Sequence, residues 1–234
     1  MGRPVMRQQW AHLLFLHWAW DAAAVQDTLP AGLTVDTFEG RAWIGLVPFF
    51  MRRVRPAGFP AVPGVSNFLE LNVRTYVHDA AGRPGVWFYS LDCNQWLAVK
   101  LARGLFHLPY EHAVMSAGLS AATGEVDYVA CRCGQAEDSR FLYRPAGPGR
   151  AAEPGSLEFF LVERYTLFAH AVRRQRLYAG RVAHIPYAVA GAEVPVWDDG
   201  MMRLAGFDPA GRPPDHRCTA AAVDVEVFPL RRLG

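Results

Sequence analysis

The segment Phe68-Leu69-Glu70-Leu71-Asn72-Val73-Arg74-Thr75-Tyr76-Val77-His78 decides how this chain is read. Strand side chains alternate with a period of two, so Leu69, Leu71, Val73 and Thr75 share one face and Glu70, Asn72, Arg74 and Tyr76 the other. A face carrying Glu, Asn, Arg and Tyr either meets solvent or lines a polar cavity. Solvent is the default for an antiparallel strand with one side packed.

Outward from this segment the chain continues to read as strand. Arg41–Phe50, Val86–Leu91, Val126–Arg132 and Phe141–Arg144 are rich in aromatic and β-branched residues and are bounded by turn residues. The apolar run Trp10–Trp20 follows Arg3 and Arg7 and superficially resembles a signal peptide. His12 and His17 interrupt it, however, and its three Trp suit a half-buried strand better. Helical signals are fewer. Asp21–Leu29 predicts a short helix capped by Asp21 and ended at Leu29-Pro30. Cys93–Leu105 predicts another, with Leu97, Leu101 and Leu105 as its apolar stripe. Leu157–Tyr165 fits a strand or a short helix. Pro/Gly-rich breaks are short enough to be loops within one domain spanning 1–234, and 144–155 is the best candidate for a mobile one. Together these elements predict an α+β, mainly β fold: a closed or strongly curved antiparallel sheet with a few peripheral helices.

Composition narrows the functional classes. With 51% of its 234 residues hydrophobic, the chain buries enough apolar surface to offset its ordering entropy. Its 24 Lys+Arg against 22 Asp+Glu leave a net charge of +2, too little for nucleic-acid binding driven by bulk charge. The clusters Arg52-Arg53-Arg55 and Arg173-Arg174-Arg176 read as solvated charge, and no partner nucleic acid is expected. No stretch approaches the roughly 18 uninterrupted apolar residues of a membrane span, so a soluble, cytoplasmic protein is expected. Cys93, Cys131, Cys133 and Cys218 are too sparse for a disulfide scaffold and lack zinc-knuckle spacing; they read as reduced thiols. Phosphate-loop, nucleophile-elbow and His-Glu-x-x-His motifs are absent from the sequence, and neither metal nor cofactor is expected. Of the 24 Lys+Arg residues all but Lys100, the only lysine in the chain, are arginine.

Several segments carry a resemblance. Leu29-Pro30-Ala31-Gly32-Leu33, Gly40–Phe49, Glu70–Val77, Gly85–Asp92, Ala102-Arg103, Leu108-Pro109-Tyr110, Phe160–Tyr165 and His184-Ile185-Pro186-Tyr187 resemble, in order, the YqjF-like proteins, a bacterial family of unknown function. That family resembles acetoacetate decarboxylase in fold, which implies a curved β-barrel or cone around a mostly apolar pocket. In those decarboxylases a lysine forms a Schiff base with the substrate ketone, and a neighbouring lysine depresses its pKa. The lysine pair directly follows a proline there. In the matching stretch Arg103-Gly104-Leu105-Phe106-His107-Leu108-Pro109-Tyr110-Glu111, Tyr110 and Glu111 stand in its place. The resemblance thus implies the fold without its catalytic amine, and Lys100 reads as a solvated helix-face residue rather than a relocated one.

The ligand-binding candidates are Glu70, Arg74, Tyr89, Arg103, Tyr110, Glu111, Glu163 and His184. Tyr110 inherits the lysine's position and offers a phenol, or is a packed residue after a proline turn. Glu70 matches a glutamate of the decarboxylase strand. With Arg74 it forms either a pocket pair that orients a carboxylate or a surface cross-strand pair. Glu163-Arg164-Tyr165 interrupts an apolar run, as a structural ion-pair network or as ligand contacts. His184 reads first as a satisfied polar residue at a strand end, and Tyr89 as core or pocket wall. The leading reading is a protein that binds a small organic, possibly carboxylate-bearing, molecule in an aromatic pocket. An enzyme using Glu70, Glu111 or Glu163 as acid or base on a small keto or carboxylic acid is the second. An interaction protein without ligand is the third, and a homo-oligomer is compatible with each.

Overall fold

The computed structural model describes residues 2–233, and of Arg173 only the backbone. In chain order the elements are β1 (Met6–Ala11), β2 (Leu13–Trp20), α1 (Ala22–Gln26), β3 (Leu33–Val35), β4 (Ala42–Pro56), β5 (Phe68–Asp79) and β6 (Pro84–Cys93). Then come α2 (Trp96–Phe106), β7 (Tyr110–Leu119), β8 (Val126–Arg132), β9 (Ser139–Pro145), α3 (Leu157–Val162), β10 (Thr166–Ala171) and β11 (Arg176–Ala183). The chain ends with β12 (Val189–Val196), α4 (Gly200–Leu204), β13 (His216–Ala220), β14 (Val223–Val227) and β15 (Arg231–Arg232). The fold is mainly β, as the alternating segments predict.

The long strand β4 organises the sheet. On one edge its first residues pair with β2 and its last with β1; on the other edge it pairs with β5. The break between β1 and β2 falls at His12, which adopts a left-handed conformation with φ of 50°. The Trp10–Trp20 run is therefore two strands rather than one. This break lets β1 continue to β14 and β2 to β13. Two closed circuits of hydrogen-bonded strands result. One runs β4–β1–β14–β11–β10–β6–β5, the other β4–β2–β13–β12–β9–β8–β7–β6–β5. They share β4, β5 and β6.

Sharing explains β5. Its Leu69, Leu71 and Val73 pack with Leu14, Trp18, Tyr128 and Phe141 inside the second circuit. Its Glu70 and Arg74 face a cavity within the first. Both faces are buried, which corrects the expectation that the polar face meets solvent. The strands are also not all antiparallel: β6 pairs in parallel with β7 and with β10. Parallel neighbours need a crossover, and α2 supplies it between β6 and β7.

Other elements differ from expectation in instructive ways. Helix α2 begins at Trp96, capped by the Gln95 side chain, because Cys93 is held in β6; His107 in the left-handed region ends it. Its Leu101 and Leu105 are 53% and 66% exposed, so the stripe rims the cavity instead of filling the core. Leu157–Val162 is the helix option, with Ser156 as N-cap. Segment 144–155 is tied to β12 by Ala146 N–H to Gly191 O and Arg150 N–H to Val189 O. The cysteines are free. Arg174 and Arg176 are exposed, whereas the Arg173 side chain lies outside the described residues. Among the described residues no helix is long and apolar enough to cross a membrane.

At the junction of β6 and β10 the strands touch through Gly85. A Cβ there would lie 2.5 Å from the Thr166 carbonyl oxygen and 2.7 Å from the Phe168 ring. Gly85→Ala is therefore expected to cost about 1–3 kcal/mol in urea unfolding, as overpacking does. An unchanged midpoint would contradict this close approach.

Candidate functional site

Inside the first circuit lies a cavity of about 430 Å³. Its walls are mostly Met, Val, Leu and Phe side chains, with few polar groups among them. Phe88 and Leu91 of β6 both face it although they are three residues apart, because a bulge opposite Val73 and Arg74 removes Tyr89 from the alternation. Leu97, Leu101 and Leu105 of α2 line its mouth.

Glu70 is 3% exposed, and its Oε2 accepts a 2.7 Å hydrogen bond from the hydroxyl of Tyr110, the first residue of β7. The parallel pairing of β6 and β7 puts Tyr110 level with Leu91, and so brings it across to Glu70 on β5. Burial raises the Glu70 pKa from 4.5 to about 7; the Tyr110 bond opposes the rise and the nearby Asp92 charge adds to it. Burial and Glu70 also push the Tyr110 phenol well up, so it stays a neutral donor. Asp92 is itself fully buried and makes a two-point contact with Arg132, at 2.7 and 2.8 Å.

Arg74, the other polar group of β5 in this wall, does not pair with Glu70. Its Nη2 donates to Leu161 O at 3.2 Å and its Nε to Tyr76 Oη at 3.3 Å. Its guanidinium also lies 5.3 Å from the Phe15 ring centroid. No carboxylate partner for it occurs among the described residues.

The remaining candidates fall outside the cavity. Arg103 pairs with Glu111 at 2.7 Å on the outer side, and its Nε donates to Tyr110 O at 2.5 Å. These two residues position Tyr110 without reaching a ligand. Tyr89 packs on Phe207 in the second circuit, its hydroxyl 2.6 Å from that of Thr28. Glu163 accepts from the Tyr165 hydroxyl and, at 2.9 Å, from Tyr187 N–H, a structural role. His184 donates through Nδ1 to Ile185 O and stacks near Tyr165 and Tyr187, with burial lowering its pKa. Of the triplet it is Arg164 that lines the cavity, paired with Asp36 at 2.6 Å. Lys100 sits over the exposed Trp96 ring at 4.7 Å, away from these groups.

Two cavity residues escaped the sequence reading. Gln8 Oε1 and Trp10 Nε1 of β1 are buried without a hydrogen-bond partner. Their only signal is alternation along a strand whose end the His12 break sets.

The Glu70 environment has a measurable consequence. The unfolded carboxyl ionises near 4.5 and the folded one near 7, so between these values the folded state holds the extra proton. Stability from this group is complete below about pH 4.5 and falls as pH rises through about 7. Glu70→Gln is expected to remove that fall, gaining about 3 kcal/mol over wild type between the two ends of the window. Urea unfolding at stepped pH reads the difference; parallel curves for the two proteins would contradict a neutral Glu70.

The DUF2071 family, described as an uncharacterised conserved protein, matches residues 7–224. The uncharacterised protein YqjF of Bacillus subtilis (strain 168) is 37% identical over 234 residues, covering 99% of this chain and 93% of that protein. An acetoacetate decarboxylase-like enzyme from Sphingomonas wittichii RW1 superposes with a TM-score of 0.68 at 17% identity, over 100% of this chain and 94% of that one. The enduracididine biosynthesis enzyme MppR, complexed with pyruvate, gives 0.68 at 14% over 100% and 92%. Acetoacetate decarboxylase from Legionella pneumophila gives 0.68 at 9% over 100% and 88%. At such identities these structures speak for the fold, and the family rests on the sequence matches. With fold and sequence in agreement, this chain belongs to the DUF2071 family of YqjF-like proteins and has the acetoacetate decarboxylase-like fold.

Proposed function

We propose that this protein binds a small organic molecule bearing a carboxylate or carbonyl head in the cavity of its first strand circuit, without Schiff-base decarboxylation. The observation that carries this reading is the wall formed by β5. There a carboxyl with a pKa of about 7 and a guanidinium without a carboxylate partner face the same apolar space. Arg74 suits a carboxylate through its planar fork, and a neutral Glu70 can donate to a carbonyl. Gln8 and Trp10 add an unused acceptor and an unused donor. The pyruvate held by MppR is a ligand of this chemical class on the same fold. Against amine chemistry stands Tyr110, which in the sequence resemblance takes the place of the decarboxylase lysine and whose hydroxyl is bonded to Glu70. A soluble cytoplasmic protein acting on small metabolites, with no nucleic-acid partner, completes the reading.

A second reading has one observation in its favour. A carboxyl with a pKa of about 7 is matched to proton transfer near neutral pH, so Glu70 suits a general acid or base on a bound keto acid. Glu111 and Glu163 are not available for that role, since both are engaged outside the cavity.

Three experiments test these readings. Pyruvate and short 2-oxo acids, titrated calorimetrically, are expected to bind the wild type and to lose about tenfold or more in affinity to Arg74→Gln, the worth of a charged hydrogen bond. Equal affinities would reject Arg74 as the carboxylate reader. If the same acids exchange their C3 protons in D2O with wild type but not with Glu70→Gln, the second reading replaces simple binding. Borohydride reduction in the presence of pyruvate or acetoacetate, followed by peptide mapping, is expected to leave Lys100 unmodified. An adduct there would overturn the assignment.

A further inference from the structure

A second group of chemically capable side chains lies outside the cavity lining. On β13 the strand period places His216 and Cys218 on one face, and the first turn of α3 brings Glu158 against them. Their ligating atoms lie within 4.8 Å of one another. Cys218 is 1% exposed, while His216 and Glu158 are half-buried, so the cluster has a closed inner end and an open outer one. Neither the Glu158 carboxylate nor the Cys218 thiol makes a hydrogen bond or ion pair among the described residues.

The imidazole of His216 is held from behind. Its Nδ1 lies 3.2 Å from Nδ1 of His17, a fully buried residue on the paired strand β2. His17 Nε2 is 2.7 Å from Tyr76 Oη, which also accepts from Arg74 Nε at 3.3 Å. One ring nitrogen of His216 is thus fixed by a chain of rigid neighbours while the other has no partner among the described residues. Metal-bound histidines are oriented in this manner, through the nitrogen that does not bind the metal.

We propose that Glu158, His216 and Cys218 form a binding site for a divalent transition metal, with Zn²⁺ as the fitting ion. Thiolate, imidazole and carboxylate are the three protein ligand types of zinc, whereas Ca²⁺ and Mg²⁺ take oxygen ligands. Binding transfers the Cys218 thiol proton to solvent as the sulfur lone pair binds the metal. Thiolate and carboxylate then match the 2+ charge. Three protein ligands leave the fourth tetrahedral position to water or a small ligand at the half-buried outer end. The three ligands lie outside the Glu70 cavity lining, and the site touches that cavity only through the His17–Tyr76 link to Arg74, so its test does not depend on the reading given above. Regular zinc-motif spacing misses it because two ligands come from a His-x-Cys strand and the third from a distant helix.

Co²⁺ titration of metal-stripped protein tests the site, since a Co²⁺–thiolate bond absorbs in the near ultraviolet. One equivalent is expected to bind with that absorption and to be displaced by Zn²⁺. Cys218→Ser is expected to abolish the band. Glu158→Gln, at the open end and least able to disturb folding, is expected to weaken binding at least about tenfold, because even second-shell losses cost that much. Cys131→Ser/Cys133→Ser is expected to change nothing, although Cys133 Sγ lies 3.3 Å from His112 Nδ1. No thiolate band at stoichiometric metal, full affinity in Glu158→Gln, a band that survives Cys218→Ser, or one that vanishes in the double variant would each overturn the proposal.

Discussion

A carboxyl group on a strand with an interior on each side is withdrawn from bulk water, which disfavours its charged form, and Glu70 is in that position. The shared strand β5 supplies apolar residues to the packed circuit and polar ones to the hollow circuit. Leu69, Leu71 and Val73 stabilise the fold by burial. Glu70 costs free energy unless it is neutral and hydrogen-bonded, and Tyr110 provides the bond. Much of the surrounding structure serves that arrangement. The β6–α2–β7 crossover carries Tyr110 to its place, and Arg103 with Glu111 clamps its backbone from outside. Asp92 is gripped on two points by Arg132, and its nearness adds to the upward shift that burial imposes on Glu70.

The division of labour among charged residues follows from which circuit they face. Glu163 caps the Tyr187 backbone and the Tyr165 hydroxyl, so it fastens the chain between α3 and β12. Arg164, its neighbour in sequence, points instead to the hollow side and is tied to Asp36. Arg74 differs from Arg164: it is a cation on the cavity wall whose partners are a carbonyl and a phenol. A fold that hosts decarboxylases can carry other chemistry when such groups change. Here the cavity wall carries a phenol–carboxyl pair.

Much of this was legible in the sequence, and the failures have physical causes. Alternation in Phe68–His78 correctly separated the two faces of β5, yet solvent and cavity look alike to a two-residue period. Only long-range pairing of β4 with both β1 and β2 decides between them. The leucine stripe of α2 was visible at helical spacing but signals any apolar surroundings, including a cavity rim. Tyr89 left the pocket through a bulge, a one-residue slip that composition does not report. Glu70 and Tyr110 were found through the resemblance and joined by the structure. Gln8 and Trp10 were missed because nothing local marks a strand residue whose partner is an empty space.

The central claim is that Glu70 is a neutral, Tyr110-bound carboxyl in a dry wall, and infrared titration reads it directly. A carboxyl C=O stretch present in the wild type, absent from Glu70→Gln and lost with a midpoint near pH 7 is the expected result. A Glu70 that is already ionised at pH 5, near its ordinary value of 4.5, would contradict the account. Water would then reach the β5 wall, and the cavity would be a solvent channel rather than a binding site.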